Sequence, residues 1–174
     1  MLLGLFVPLA LLLVFVLVGL GVYFLITSPS TPEASAYLTY NDTQHQFSIQ
    51  YPNVWTKKQL DSGVRFADVT NTAELSVTYA PNTANQTAEQ YADQLAAKEG
   101  ISTPDTKTFA GENWVVRSGI VTQTSGISQD IFIFVTLHNN VFFEIREVAP
   151  LDGYRDDQPT FMKMLQSLVF PKQG

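Results

Sequence analysis

The first 26 residues of this 174-residue chain contain no charged side chain and are almost entirely apolar. About 20 consecutive apolar residues are enough to cross the hydrocarbon core of a bilayer, and this run is longer. It is apolar on every face, whereas a helix of a soluble core has one apolar stripe. We therefore predict a transmembrane anchor over residues 1–27, followed by a separate domain.

A cleaved signal peptide is the alternative interpretation of the same run. Residues 34–36, with the sequence Ala-Ser-Ala, fit a cleavage site of small residues. The run is longer than the apolar region of about 7–15 residues in a usual signal peptide, and no basic residue precedes it. These two features favour an uncleaved anchor.

Residues 28–36 are rich in Pro, Ser, Thr and Ala, a composition typical of an extended, flexible linker. No Lys or Arg occurs before Lys57, so the positive-inside rule has little to act on. Glu33 and Asp42 on the C-terminal flank favour an outside location for that side. We expect a single-pass protein of the cell membrane whose C-terminal domain lies outside the cytoplasm.

Nearly all the charge of the chain lies after the linker. Residues 1–36 carry one charged side chain, Glu33, so residues 37–174 hold 15 acidic and 10 basic residues. An acidic domain lacks the basic surface of a nucleic-acid-binding protein. The chain has no cysteine, which excludes disulfides and thiolate chemistry.

Residues 37–174 have the pattern of short strands interrupted by two helices. Thr87 and Gln90 form a capping-box sequence and Gly100 suits a C-cap, which together predict the first helix. The second is predicted over residues 157–168, with Asp157 as its N-cap. Alternating or dense apolar residues predict strands on both sides of a turn at 41–45, and at 64–69, 74–79, 112–122, 130–137 and 141–148. Because strands and helices do not alternate regularly, we predict an α+β fold with a mainly antiparallel sheet flanked by helices.

One stretch resembles a known family signature. A tyrosine and a turn lead into a strand that begins with an aromatic residue, followed by Tyr-Pro, two residues and a Trp; these are Tyr40, Phe47, Tyr51, Pro52 and Trp55. The stretch is similar to the N-terminal signature of the PsbP-like family, and "MLQSLVF" at 164–170 is similar to that family's ending. The resemblance implies an α-β-α sandwich over residues 37–174, with Trp55 closing one end of the core.

The family includes an extrinsic subunit of photosystem II and many anchored or exported bacterial proteins without an assigned task. The resemblance therefore implies a fold more than a function.

Two histidines are candidates for a metal site. His45 and His138 each lie in a predicted hairpin loop, and they would meet if those loops shared one end of the sheet. A zinc site needs three or four converging ligands. Two exposed loop residues are the alternative.

The acidic loop at 152–157 is a candidate cation site, because Asp152, Asp156 and Asp157 supply the carboxylates that calcium prefers. Capping of the following helix by Asp156 or Asp157 is the simpler use. Glu144 and Arg146, with Arg117 nearby in the predicted sheet, form either a ligand-binding charge cluster or cross-strand ion pairs.

These features indicate a non-catalytic binding or assembly module tethered to the membrane, with no cofactor and with a membrane-associated protein as its partner. We expect the binding surface in the loops at 80–86, 123–129 and 150–157, all at one end of the sheet. One alternative is a carrier of a small ligand or metal, with a pocket between helix and sheet. The other is a hydrolase built from Asp152, Asp156, Asp157, His45 and His138.

Overall fold

The computed structural model describes residues 36–170. The predicted anchor and nearly all of the predicted linker lie outside the described residues. Between residues 36 and 170, no helix has the length and apolarity to span a membrane.

The described chain folds into a seven-stranded sheet, a separate two-stranded hairpin and two helices. The sheet order is β3-β4-β5-β9-β8-β7-β6, the hairpin is β1-β2, and every neighbouring pair is antiparallel. The predicted α+β class with a mainly antiparallel sheet is confirmed. The elements are β1 Tyr37–Asp42, β2 Phe47–Pro52, β3 Thr56–Leu60, β4 Gly63–Ala67, β5 Glu74–Pro81, α1 Ala88–Glu99, β6 Thr103–Phe109, β7 Glu112–Thr122, β8 Ser128–His138, β9 Val141–Pro150 and α2 Tyr154–Gln166.

The central strand β9 divides the core into two layers, because successive side chains of a strand point to opposite faces. Phe143 and Ile145 face the layer formed by α2 and the β1-β2 hairpin. Phe142 and Val148 face the other layer, which contains α1. The dense apolar content of β8 and β9 therefore reflects strands that are covered on both sides, as the sequence predicts.

The sheet has two ends, which we name after a residue in each. The His138 end contains the loops at 43–46, 61–62, 82–87, 110–111 and 139–140. The Leu151 end contains the loops at 53–55, 68–73, 100–102, 123–127 and 151–153. The described chain also begins at the Leu151 end, where Tyr37 pairs with Pro52.

Local sequence signals place α1 correctly. Thr87 accepts a hydrogen bond from the Gln90 amide, and the Gln90 side chain accepts one from the Thr87 amide. Gly100 ends the helix in the left-handed conformation, with φ +73°. The predicted tight hairpin at 138–140 is also present, since Asn139 and Asn140 both have positive φ.

The predicted start of α2 is wrong. The helix begins at Tyr154, its N-cap is Gly153, and no side chain caps it. Strand β9 continues to Pro150, and the Gly153 amide donates to the Pro150 carbonyl, so the chain turns into the helix immediately. Asp156 and Asp157 consequently lie within the first turn, and neither caps the helix.

The larger anchor of the core is Trp114 rather than Trp55. The Trp114 ring is 1% exposed, stacks on Phe109 at 4.6 Å and donates its indole N–H to the Phe109 carbonyl. Trp55 is only partly buried and meets Phe161 edge-on at 5.9 Å.

Candidate functional site

The structure brings the two histidines to one place. His45 and His138 both line a cavity of about 180 Å³ at the His138 end, together with Val141 and Phe143. The β1-β2 turn and the β8-β9 turn therefore share one end of the molecule, which was the condition for the two rings to meet.

Each histidine already has its own partners. Nδ1 of His45 lies 3.3 Å from Oδ1 of Asp42, and the ring stacks on Tyr79. Within the described range, no three residues among His, Cys, Asp and Glu are arranged to hold a metal ion.

His138 is held by a different carboxylate. Its Nδ1 lies 2.7 Å from Oε1 of Glu112, and its ring stacks on Phe170 at 4.8 Å. His45 thus holds the β1-β2 turn against Tyr79 of β5. His138 connects the β8-β9 hairpin to Phe170 near the C-terminal end of the described chain.

The acidic loop lies at the opposite end of the sheet. Strand β9 separates His138 from Asp152, and its ten residues span about 30 Å at roughly 3.3 Å per residue. The predicted hydrolase or metal site, which requires Asp152, Asp156 and Asp157 beside His45 and His138, is therefore not formed.

The acids of that loop serve the start of α2 instead. Asp156 and Asp157 lie in its first turn, where negative charge interacts favourably with the helix dipole. Burial, followed by the negative charges of Asp68 and Asp156, raises the pKa of Asp157.

The three predicted binding loops do not lie at one end. The 123–129 and 150–157 loops meet at the Leu151 end, where the Leu151 amide donates to the Ser128 carbonyl. The 80–86 loop lies at the His138 end, where the Asn82 amide donates to the Asn140 carbonyl. The reason is the antiparallel register, which pairs Pro81 with Val141 at the start of β9.

The predicted charge cluster on β9 consists of ion pairs, one across the sheet to β5 and the others to α1. Arg146 contacts Glu74 of β5 at 3.3 Å and Glu99 of α1 at 3.2 Å. Arg117 of β7 contacts Asp93 of α1 at 2.7 Å. The structural alternative, ion pairing, accounts for both arginines.

Glu144 belongs to the same face of the sheet. It accepts a hydrogen bond from Thr78 at 3.3 Å, and burial raises its pKa.

A larger cavity of about 340 Å³ lies beneath α2 and against β6, β7, β8 and β9. Its wall combines polar residues with four aromatic side chains, those of Phe109, Phe132, Phe134 and Tyr154. Helix α2 supplies the roof through residues four positions apart, and the hairpin layer packs on the other half of this face. The cavity thus lies on the β6-β7 side of the sheet, which neither α2 nor the β1-β2 hairpin covers completely.

Glu147 is a buried acid in the wall of this cavity. Its side chain is 2% exposed, and within residues 36–170 its Oε1 has no hydrogen-bond partner. Burial raises the pKa of Glu147 from 4.5 to about 8, so the group is mostly protonated at neutral pH.

Two neighbours of Glu147, Tyr154 and Asp130, supply no positive charge to the site. Burial, followed by the charges of Glu147 and Asp130, raises the pKa of Tyr154. Burial also raises the pKa of Asp130. Tyr154 stacks on Phe132 with ring centroids 5.2 Å apart, which fixes its position at the cavity wall.

The sequence analysis missed Glu147, although a signal for it exists. In "VFFEIREV", Glu147 has the same strand parity as Phe143 and Ile145. An acid on the most apolar face of a central strand is unusual, because burial of a carboxyl group without a partner is costly.

Most loops of the Leu151 end share a second feature. Four of the five each expose one apolar side chain, at fractions of 66% for Val54, 72% for Val69, 54% for Ile127 and 44% for Leu151, whereas Ile101 in the fifth is buried. The five loops of the His138 end contain no large aliphatic or aromatic residue. The two ends of the domain therefore differ in chemistry.

Comparison with known proteins identifies the fold. No protein-family model and no curated protein sequence matches the chain. Cyanobacterial PsbP (CyanoP) from Synechocystis is similar in structure, with a TM-score of 0.61 and 14% identity over 83% of this chain and 98% of that protein.

Two further solved structures share the architecture. LpqN of Mycobacterium tuberculosis, described as involved in cell envelope biogenesis, has a TM-score of 0.55 and 9% identity over 78% of this chain and 91% of its own. The Ran-binding protein Mog1p of Saccharomyces cerevisiae has a TM-score of 0.52 and 7% identity over 77% and 95%. The described domain therefore has the PsbP-like fold.

Proposed function

We propose that this chain is a membrane-tethered, non-catalytic accessory protein that binds a membrane-associated protein through the loops of its Leu151 end. The observation that carries the proposal is the set of four exposed apolar side chains, each on a different loop of that end. Apolar side chains surrounded by polar loop residues are the usual composition of a protein–protein contact.

Charge favours a protein partner over a lipid surface. The loops and first helical turn of this end carry Asp68, Asp152, Asp156 and Asp157 but only one base, Arg155. An acidic surface is repelled by anionic lipid headgroups and attracts a partner with basic side chains around an apolar centre.

The position of the chain start supports the membrane-associated location of that partner. Tyr37, which directly follows the predicted linker, lies at the Leu151 end. Tethering raises the local concentration of the domain near membrane proteins. The PsbP-like fold also occurs in Mog1p, whose name describes protein binding.

The binding proposal is tested by crosslinking and pull-down of the full chain from native membranes. We expect a recurrent partner that is lost when Val54, Val69, Ile127 and Leu151 are replaced together by Ser. The matched control replaces exposed apolar residues elsewhere, Leu137 and Val169, by Ser and retains the partner. Equal recovery with both variants would refute the docking surface, and tightly held metal without a protein partner would favour a metal carrier.

The tether is tested separately by protease treatment of intact cells. We expect removal of the domain from outside. Digestion only after lysis would reverse the orientation, and a mature N-terminus at Tyr37 would replace the anchor with a signal peptide.

A further inference from the structure

We propose that the cavity beneath α2 binds a compact organic amine, whose ammonium group pairs with Glu147 and whose apolar body packs against the phenylalanine side chains of β6 and β8. The inference goes beyond the proposed docking function, because it uses none of the four exposed loop side chains.

The polar end of the ligand is inferred from Glu147 Oε1. This oxygen is buried and has no hydrogen-bond partner within the described part of the chain. Buried polar atoms in folded proteins nearly always have a partner, since an unsatisfied one costs free energy. Glu147 lines a cavity large enough for a small molecule, so a ligand in that cavity can supply a partner for its carboxyl group.

The charge of the ligand is inferred from the groups around Glu147. Strand β8 contributes Asp130 and α2 contributes Tyr154, and neither is basic. Strand β6 contributes Lys107, but its Nζ lies 2.6 Å from Oδ2 of Asp105 and its side chain is 56% exposed. The described surroundings therefore leave the carboxyl group of Glu147 without a cation, and an ammonium group would stabilise its ionised form.

The body of the ligand is inferred from the wall. Phe109, Phe132 and Phe134 supply aromatic faces, and Met162 and Leu165 supply aliphatic surface from α2. Aromatic faces attract ammonium groups as well as apolar rings. A volume of about 340 Å³ lies near the lower end of the range for ligand pockets, which fits an amine with one ring.

The inference is tested with the full chain in detergent by isothermal titration calorimetry. The probes are benzylamine, benzyl alcohol and benzoate, which share one ring and differ in charge. We expect benzylamine to bind with a Kd of about 1 mM or tighter, and the other two at least about tenfold more weakly. At neutral pH the binding of the amine should release a proton from Glu147, so the apparent enthalpy should depend on the ionisation enthalpy of the buffer.

Two variants and one control locate the site. Glu147→Gln should weaken benzylamine binding at least about tenfold, because it removes the charge of the hydrogen-bond acceptor. Met162→Trp should also weaken benzylamine binding, because the larger side chain would fill the cavity from a half-exposed position. If Glu147→Gln does not fold, the Met162→Trp variant tests whether benzylamine binds in this cavity. The control, Glu144→Gln, changes an acid on the opposite face of the same strand and should leave binding unchanged.

Three results would overturn the inference. They are benzyl alcohol binding as tightly as benzylamine, unchanged benzylamine affinity in folded Glu147→Gln, and no benzylamine binding at a Kd of about 1 mM or tighter.

Discussion

Replacement of Glu147 by Gln should change how the stability of the protein depends on pH. The pKa of Glu147 is about 8 in the folded protein and 4.5 in an exposed glutamate. Between these values the folded protein holds a proton that the unfolded chain has lost, so stability falls as the pH rises. The loss of stability caused by ionisation of Glu147 is therefore absent below pH 4.5 and is complete once the pH has risen above about 8.

The size of the effect follows from the same two values. Each pH unit between them removes about 1.4 kcal/mol, so ionisation of Glu147 costs the folded state about 5 kcal/mol above pH 8. Gln has nearly the same shape and does not titrate. We expect Glu147→Gln and the wild type to have similar free energies of unfolding at pH 5, within about 1 kcal/mol. At pH 9 the variant should be more stable by roughly 3–5 kcal/mol.

The assay is urea unfolding of the full chain in detergent, monitored by tryptophan fluorescence at pH 5, 7 and 9. Other titrating groups are present in both proteins and cancel in the difference. A difference in stability that stays constant from pH 5 to pH 9 would refute the reasoning, because it would mean that Glu147 titrates alike in the folded and unfolded states.

The remaining predictions concern packing and are measured by urea unfolding. Trp114→Ala should cost about 3–5 kcal/mol because the ring is buried, whereas Trp55→Ala should cost about half as much because it is partly exposed. Equal costs would contradict the burial of the two rings. Gly63→Ala should cost at least about 3 kcal/mol, because a Cβ would lie 2.0 Å from the Val77 carbonyl oxygen and φ is +149°. Gly126→Ala, with φ +86° but open space, should cost about 1 kcal/mol, and a similar loss at both glycines would contradict the clash.

The sequence predicts the interior of the sheet better than its edges. Strands β8 and β9 are covered on both faces, so their apolar residues stand out in the sequence. Strands β3 and β6 are missed, and the sheet order places them at its two edges. Almost all of their residues are exposed and polar, with lysines in both and Pro104 in β6. Such residues prevent edge strands from pairing with other chains, and they also remove the periodic apolar signal.

A helix start can be predicted from the sequence only where a side chain caps it. Helix α1 begins at a side-chain cap, Thr87, which is visible in the sequence. Helix α2 begins at Tyr154, and its N-cap Gly153 has no side chain to cap it, so Asp157 before Pro159 was a misleading signal. The start of α2 depends on the backbone turn after β9, which residue types alone do not specify.

The candidate sites depend on which loops share an end, and strand register decides this. The sequence placed His45 in a turn and His138 at the β8-β9 hairpin, where His138 is in fact the last residue of β8. It could not pair Pro81 with Val141, which carries the 80–86 loop to the same end. The proposed docking side chains, such as Val69 and Ile127, are single apolar residues in polar loops. They become notable only when the fold collects them at one end.

The cavity and Glu147 follow from how the layers of this fold share one face of the sheet. The β1-β2 hairpin and α2 lie side by side on that face, and α2 contacts β9 and β2. Seven strands are wider than these two elements, so the β6-β7 side next to α2 is left partly open. An apolar side chain at position 147 would pack such a space at lower cost than a carboxyl group, because burial of the acid lowers stability whenever it ionises. Natural sequences depart from favourable packing mainly at sites of function. A buried acid beside a cavity with several aromatic side chains in its wall is therefore best explained as one half of a ligand contact.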